Sequence, residues 1–95
     1  MEHKTFKFEY SIVQYKDFEV DIEQLADLLI RDFVKDDKDL VVEDLIYSFD
    51  DNMDYYLREL GFPKDSELDD YNYDYIYNGI YDDLEAILYE KVNKA

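Results

Sequence analysis

The chain has no cysteine and no tryptophan, and only one proline, two glycines and one histidine in 95 residues. Without cysteine there is no disulfide framework and no thiol chemistry, which fits a reducing compartment such as the cytoplasm. Two glycines are too few for a loop that cradles phosphate. The lone histidine, His3, stands at the terminus, and Ser11, Ser48 and Ser66 have no base near them in sequence. A nucleophile with a positioned general base is therefore not expected. No apolar run approaches the length of a membrane span, and Met1–Tyr10 carries charges at every second or third position, unlike a signal peptide.

Bases are also scarce. Ten Lys and Arg face 26 Asp and Glu, a formal net charge of -16. Residues 1–35 hold eight acids and five bases, whereas residues 36–90 hold eighteen acids and only Lys38, Arg58 and Lys64. Nine carboxylates lie between Lys64 and Lys91 with no base among them. Phosphate contacts need Lys and Arg, so direct nucleic-acid binding is disfavoured, as is an anionic lipid surface. A field of this size repels itself and destabilises a compact chain.

Acidity alone is compatible with disorder, but 47% of residues are hydrophobic and 18% aromatic. Disordered acidic tails lack such residues, so residues 1–95 are expected to form a single acidic globular domain. Phe6, Phe8, Tyr10 and Ile12 alternate with Lys7, Glu9 and Ser11, the period-two pattern of a half-buried strand over residues 5–15. Residues 15–20 either continue it or form a second strand after a turn at Lys16-Asp17. Asp21 has the character of an N-cap, with Gln24 three residues on. Ile22, Leu25, Ala26, Leu29 and Phe33 then repeat at helical spacing, while Glu23, Asp27, Arg31 and Lys35 stand four apart on the opposite face. After a polar break at Asp36–Asp39, a helix is expected over residues 42–60, ended by Gly61 and Pro63. Ser66 or Asp69 would cap the next helix, which is firm over residues 80–93. Residues 70–78 read in two ways: Tyr71, Tyr73, Tyr75 and Tyr77 alternate as in a strand ahead of Asn78-Gly79, but helical spacing also runs straight through them, and helix is favoured. The expected fold is α+β, a small single domain with an N-terminal strand or hairpin packed on about three helices. Its core would hold Phe6, Phe8, Leu25, Leu29, Phe33, Leu45, Phe49, Leu57, Ile80, Leu84 and Leu88.

Carboxylate pairs can serve as general acid and base, but with 26 acids some pair falls close by chance and carries no information. Asp50-x-Asn52-x-Asp54 and Asp70-x-Asn72-x-Asp74 begin like calcium loops. An EF-hand then needs Gly at position six and Glu at position twelve, where this chain has Tyr55 and Gly61, or Tyr75 and Tyr81. No catalytic residue, metal site or cofactor is expected, and the chain does not read as an enzyme.

The acidic surface itself is then the working part. Helical residues four apart lie roughly 5–6 Å from one another, so rows such as Glu43–Tyr47–Asp51 and Asp50–Asp54 hold negative oxygens at a spacing comparable to phosphates along a strand. A cleft of Arg and Lys built for phosphate would accept such a surface, with tyrosines as apolar anchors. The candidate partner-binding residues are Glu43, Asp44, Tyr47, Asp50, Asp51, Asp54, Asp69, Asp70, Tyr71, Asp74, Tyr75, Tyr81 and Asp82. In size, charge and aromatic content the whole chain resembles the small DNA-mimic inhibitors of phages and mobile elements, the anti-CRISPR and antirestriction proteins. The resemblance implies a partner, the DNA-binding cleft of a bacterial defence nuclease, and a place in the cytoplasm of the host cell. The segment Asp44-Leu45-Ile46-Tyr47, with Asp50 and Asp51 after it, is similar to the acidic-tyrosine segment of helical colicin immunity proteins, which implies the alternative of an immunity protein or antitoxin that neutralises a cationic nuclease. An interaction subunit without mimicry is the third class.

Overall fold

A computed structural model describes residues 4–11, 15–64 and 66–94. The element order is β1 (Thr5–Ser11), β2 (Tyr15–Asp21), α1 (Ile22–Lys35), α2 (Val42–Asp51), α3 (Met53–Glu59) and α4 (Asp70–Lys94). This is the expected α+β arrangement of a hairpin on helices, with four helices rather than about three. The two strands pair antiparallel, Phe8 opposite Phe18 and Glu9 opposite Asp17. Lys16 and Asp17 thus lie within β2, opposite Tyr10 and Glu9, and do not form the turn. Ile12 falls outside the described residues.

Alternation fixes which face of the hairpin is buried. Phe8, Tyr10 and Val20 are buried and Phe18 packs against them, while Lys7, Glu9, Asp17 and Glu19 are exposed. Phe62 closes this face, its ring centroid 4.9 Å from Tyr10, 5.3 Å from Phe18 and 5.8 Å from Phe8. Phe62 gets there through the end of α3. Gly61 takes φ 106°, a left-handed value that a side chain would strain, and the chain closes a Schellman turn. Its bonds run from Phe62 N–H to Leu57 C=O at 3.0 Å and from Gly61 N–H to Arg58 C=O at 3.1 Å.

The end of α1 repeats the device without a glycine. Lys38 N–H donates to Phe33 C=O and Asp37 N–H to Val34 C=O, with Asp37 itself at φ 58°. The Lys38 ammonium then sits 5.3 Å from the Phe33 ring centroid. At the start of α1, Asp21 Oδ1 accepts from Gln24 N–H at 3.0 Å, as its sequence position suggests.

The expected helix over residues 42–60 is broken at Asn52, whose φ of -126° and ψ of 36° leave the helical region. Ser48 C=O accepts twice there, from the Asn52 side-chain amide at 3.0 Å and from Asn52 N–H at 3.0 Å, so the amide folds back onto the last turn of α2. Tyr56 N–H then bonds Asn52 C=O and starts α3. In the opposite sense, α4 runs unbroken for 25 residues through Asn78-Gly79, which resolves residues 70–78 as helix. Ile76 and Ile80 on either side of Gly79 are completely buried, and tertiary packing outweighs the turn signal.

One hydrophobic cluster draws on the hairpin, all four helices and Phe62. Of the expected core residues all are buried except Phe6, which is half-buried and packed against the cluster from outside. Its position explains Gly79. A Cβ on Gly79 would stand 2.2 Å from Phe6 Cε2 and 2.4 Å from Cζ, so the missing side chain is what lets β1 rest on α4.

A double-mutant cycle reads this contact. In the wild-type background Gly79→Ala should destabilise, because overpacking of roughly 1–3 kcal/mol exceeds a helix-propensity gain of about 1 kcal/mol. In a Phe6→Ala background the same change should stabilise by about 1 kcal/mol. Urea unfolding that gives one sign in both backgrounds would contradict the contact.

Candidate partner-binding surface

Twelve of the thirteen candidate residues are exposed, and Tyr81 is half-buried. Glu43, Asp44, Tyr47, Asp50 and Asp51 belong to α2, Asp54 to α3, Asp69 to the preceding connection and the other six to α4. Two hydrogen bonds set α2 and α3 antiparallel along α4. Tyr73 O–H donates to Asp54 Oδ2 at 2.5 Å near the start of α4, and Tyr89 O–H donates to Glu43 Oε1 at 3.2 Å near its end.

The fold gathers eight of the thirteen candidates into three hollows, and Glu43 and Tyr81 are among those outside them. Asp44, Tyr47 and Asp51 line one with Asp37, Lys38 and Asp39 of the α1–α2 connection. Asp50, Asp51 and Asp54 line a second with Tyr55 and Tyr73. Asp69, Tyr71 and Tyr75 line a third with Lys7, Glu9 and Asp17 of the hairpin. Asp70, Asp74 and Asp82 are exposed on α4 and line none of these. Asp69 also caps α4, its Oδ1 accepting from Asn72 N–H at 2.8 Å, while Ser66 Oγ is buried with no partner among the described residues. The buried Asn72 side chain donates to Glu9 C=O at 3.2 Å and ties α4 to β1. Neither calcium-like segment forms a loop of its own: one straddles the α2–α3 break and the other lies in α4. Among the described residues no group of three or more His, Asp or Glu is placed to hold a metal ion.

The distribution of cations decides the electrostatics. Lys91 pairs with Asp27 at 3.0 Å and Glu23 at 3.7 Å, and Arg31 pairs with Asp32 at 3.1 Å. The four-apart spacing along α1 suggests pairs within that helix, but Asp27 takes its cation from α4 instead. Among the described residues no ion pair reaches a carboxylate of α2 or α3, nor Asp70, Asp74, Asp82 or Asp83 of α4. Arg58, the cation within α3, gives its guanidinium to neutral groups: Nη1 donates to Pro63 C=O at 2.7 Å and Nη2 to Ser66 C=O at 2.6 Å, over the Phe62 ring.

Tyrosine hydroxyls take the place that cations would fill. The hydrogen bond to Asp54, then burial, pushes the Tyr73 hydroxyl up to about 12. Tyr89 is raised by its hydrogen bond to Glu43, and Tyr81 by the charge on Glu85 followed by a hydrogen bond to it. These groups stay protonated at neutral pH, so they orient carboxylates without cancelling their charge. The hairpin acids Glu9 and Asp17 are absent from the sequence-derived set although alternation puts them on the outer face. Pairings across 19 and 46 residues, Asp54 with Tyr73 and Glu43 with Tyr89, leave no local trace.

Compared with protein-family models, curated proteins and solved structures, the chain matches none. No helix is long and apolar enough to cross a membrane among the described residues.

Removing the Tyr73 hydroxyl tests the seam. Tyr73→Phe should cost about 1 kcal/mol at pH 7, and Asp54→Asn should add little in that background. The sign with pH follows from a folded value above the ordinary 10. The contribution is whole below pH 10 and is lost as pH rises through about 12. A Tyr73→Phe variant as stable as wild type at pH 7 would contradict it.

Proposed function

We propose that the protein is an acidic nucleic-acid mimic that occupies the DNA- or RNA-binding cleft of a basic enzyme, a bacterial defence nuclease of the CRISPR or restriction type, in the cytoplasm of the host cell. The observation that carries this reading is the absence, among the described residues, of any ion pair to the acids of α2 and α3 or to Asp70, Asp74, Asp82 and Asp83 of α4, while Asp54 and Glu43 are held by tyrosine donors and the Arg58 guanidinium is turned onto backbone carbonyls. A phosphate-binding cleft offers Arg and Lys at the spacing these rows present, and the long-range field speeds the encounter. The exposed ring of Tyr47 beside Asp44 and Asp51 supplies apolar area at the same place.

The alternative is an immunity protein or antitoxin against a cationic nuclease toxin. It would use the same charge, but the hairpin built into the core departs from the all-helical immunity fold.

Competition separates the two. With a CRISPR effector nuclease as target, nucleic acid bound beforehand should block the inhibitor. Undiminished binding to the loaded enzyme would overturn direct mimicry. Asp44, Asp50 and Asp51 are the set to reverse to Lys, because Asp54 is engaged by Tyr73. The triple reversal should slow association tenfold or more and abolish inhibition with the fold intact, while Tyr47→Ala should act mainly on dissociation.

A further inference from the structure

The third hollow lies between the hairpin, from residues 7–10 of β1 to Asp17 of β2, and the first two turns of α4, an open groove of about 460 Å³. Tyr71 and Tyr75 line it, their rings nearly parallel at 11° with centroids 5.9 Å apart. Tyr71 is 72% exposed and Tyr75 46%, so both stacked rings offer apolar area to a partner. The pair is held from beneath: Tyr75 packs on Phe6 at 5.4 Å, and Phe6 is seated where Gly79 has no side chain. Glu9, Asp17 and Asp69 bring three carboxylates to the groove and Lys7 one ammonium. Among the described residues the cations that cover rings are Lys38 on Phe33 and Arg58 on Phe62, and none covers Tyr71 or Tyr75.

From this arrangement we infer that the groove is an arginine-binding subsite, taking one arginine side chain of the basic partner flat against the Tyr71–Tyr75 stack with its charge toward Glu9, Asp17 and Asp69. The inference rests on the reading of the acidic surface as a protein-binding face, and names the side chain that face selects. A guanidinium fits for three reasons. It is planar and stacks on an aromatic face, it forks onto carboxylates, and it loses less hydration than an ammonium. A lysine would gain the charge attraction and forgo the stacking. Because Tyr75 rests on Phe6, that ring is positioned before the arginine arrives, which lowers the ordering cost of binding.

Hexa-arginine and hexa-lysine peptides, titrated into the full chain at about 0.15 M NaCl and followed by tyrosine fluorescence and backbone amide shifts, test this. The arginine peptide should bind about threefold to fivefold more tightly than the lysine peptide. That preference should vanish in Tyr71→Ala, survive in Tyr71→Phe, which keeps the ring, and survive in Tyr47→Ala, whose ring lies in a different hollow. Tyr71 is mostly exposed, so its variants should unfold at the wild-type urea concentration. Equal binding of the two peptides, or a preference that persists in Tyr71→Ala, would overturn the subsite. Loss of nuclease inhibition with the arginine preference intact would remove the mimic reading and leave the groove. Inhibition with no arginine preference would remove the groove alone.

Discussion

A chain with 26 carboxylates and ten cations cannot be held together by ion pairs, and the described structure does not attempt it. Its cations are used sparingly and at particular places. Lys91 fastens the end of α4 to α1, Lys38 covers Phe33 where α1 ends, and Arg58 clamps the connection after α3 through two carbonyls. Stability comes instead from one apolar cluster reached by every element, rich in rings, with Phe62 seated on the hairpin beside the direct contacts of β1 with α4. Burial of apolar surface is indifferent to the sign of the surface charge, so the acids outside can accumulate at a cost spread over the whole domain.

Within that constraint tyrosine is the residue that reconciles holding a carboxylate with keeping it charged. A lysine or arginine beside Asp54 or Glu43 would fix its position and cancel its field. Tyr73 and Tyr89 fix it and leave the field intact, because a phenol hydrogen-bonded to a carboxylate stays protonated well above neutral pH. Tyrosine thus has three separate uses among the described residues: core filling at Tyr10 and Tyr56, donation along the α2–α3–α4 seam by Tyr73 and Tyr89, and exposed rings at Tyr47, Tyr71 and Tyr75. A surface built in this way presents fixed negative charge beside apolar anchors, the combination that a basic cleft recognises.

Much of the fold is legible in the sequence where the signal is local. Period-two alternation gives β1 and its buried face, the Asp21 cap and helical spacing give α1, and Gly61 marks the end of α3. The departures occur where a tertiary contact or a side chain competes with the local pattern. Asn52 breaks a helix whose apolar spacing continues past it, and that spacing carries no mark of an amide that folds back onto Ser48 C=O. Gly79 reads as a turn residue because the ring of Phe6, 73 positions earlier, cannot be seen from it. The exposed acids of the candidate surface are legible as a set, from charge and helical facing alone. Their division among three hollows is not, because the hairpin and the α1–α2 connection contribute Glu9, Asp17, Asp37 and Asp39.

The central claim is that the acids of α2 and α3, with Asp70, Asp74, Asp82 and Asp83 of α4, meet no ion pair among the described residues, and the response of stability to salt measures it most directly. Added NaCl screens repulsion among exposed carboxylates and weakens the few ion pairs by the same mechanism, so the sign reports which is larger. The melting temperature should rise steadily from low salt to about 0.5 M NaCl, where the screening length falls to roughly 4–5 Å. A melting temperature that stays flat or falls over that range would mean that the carboxylates are already paired, and the uncompensated surface on which the functional reading stands would not exist.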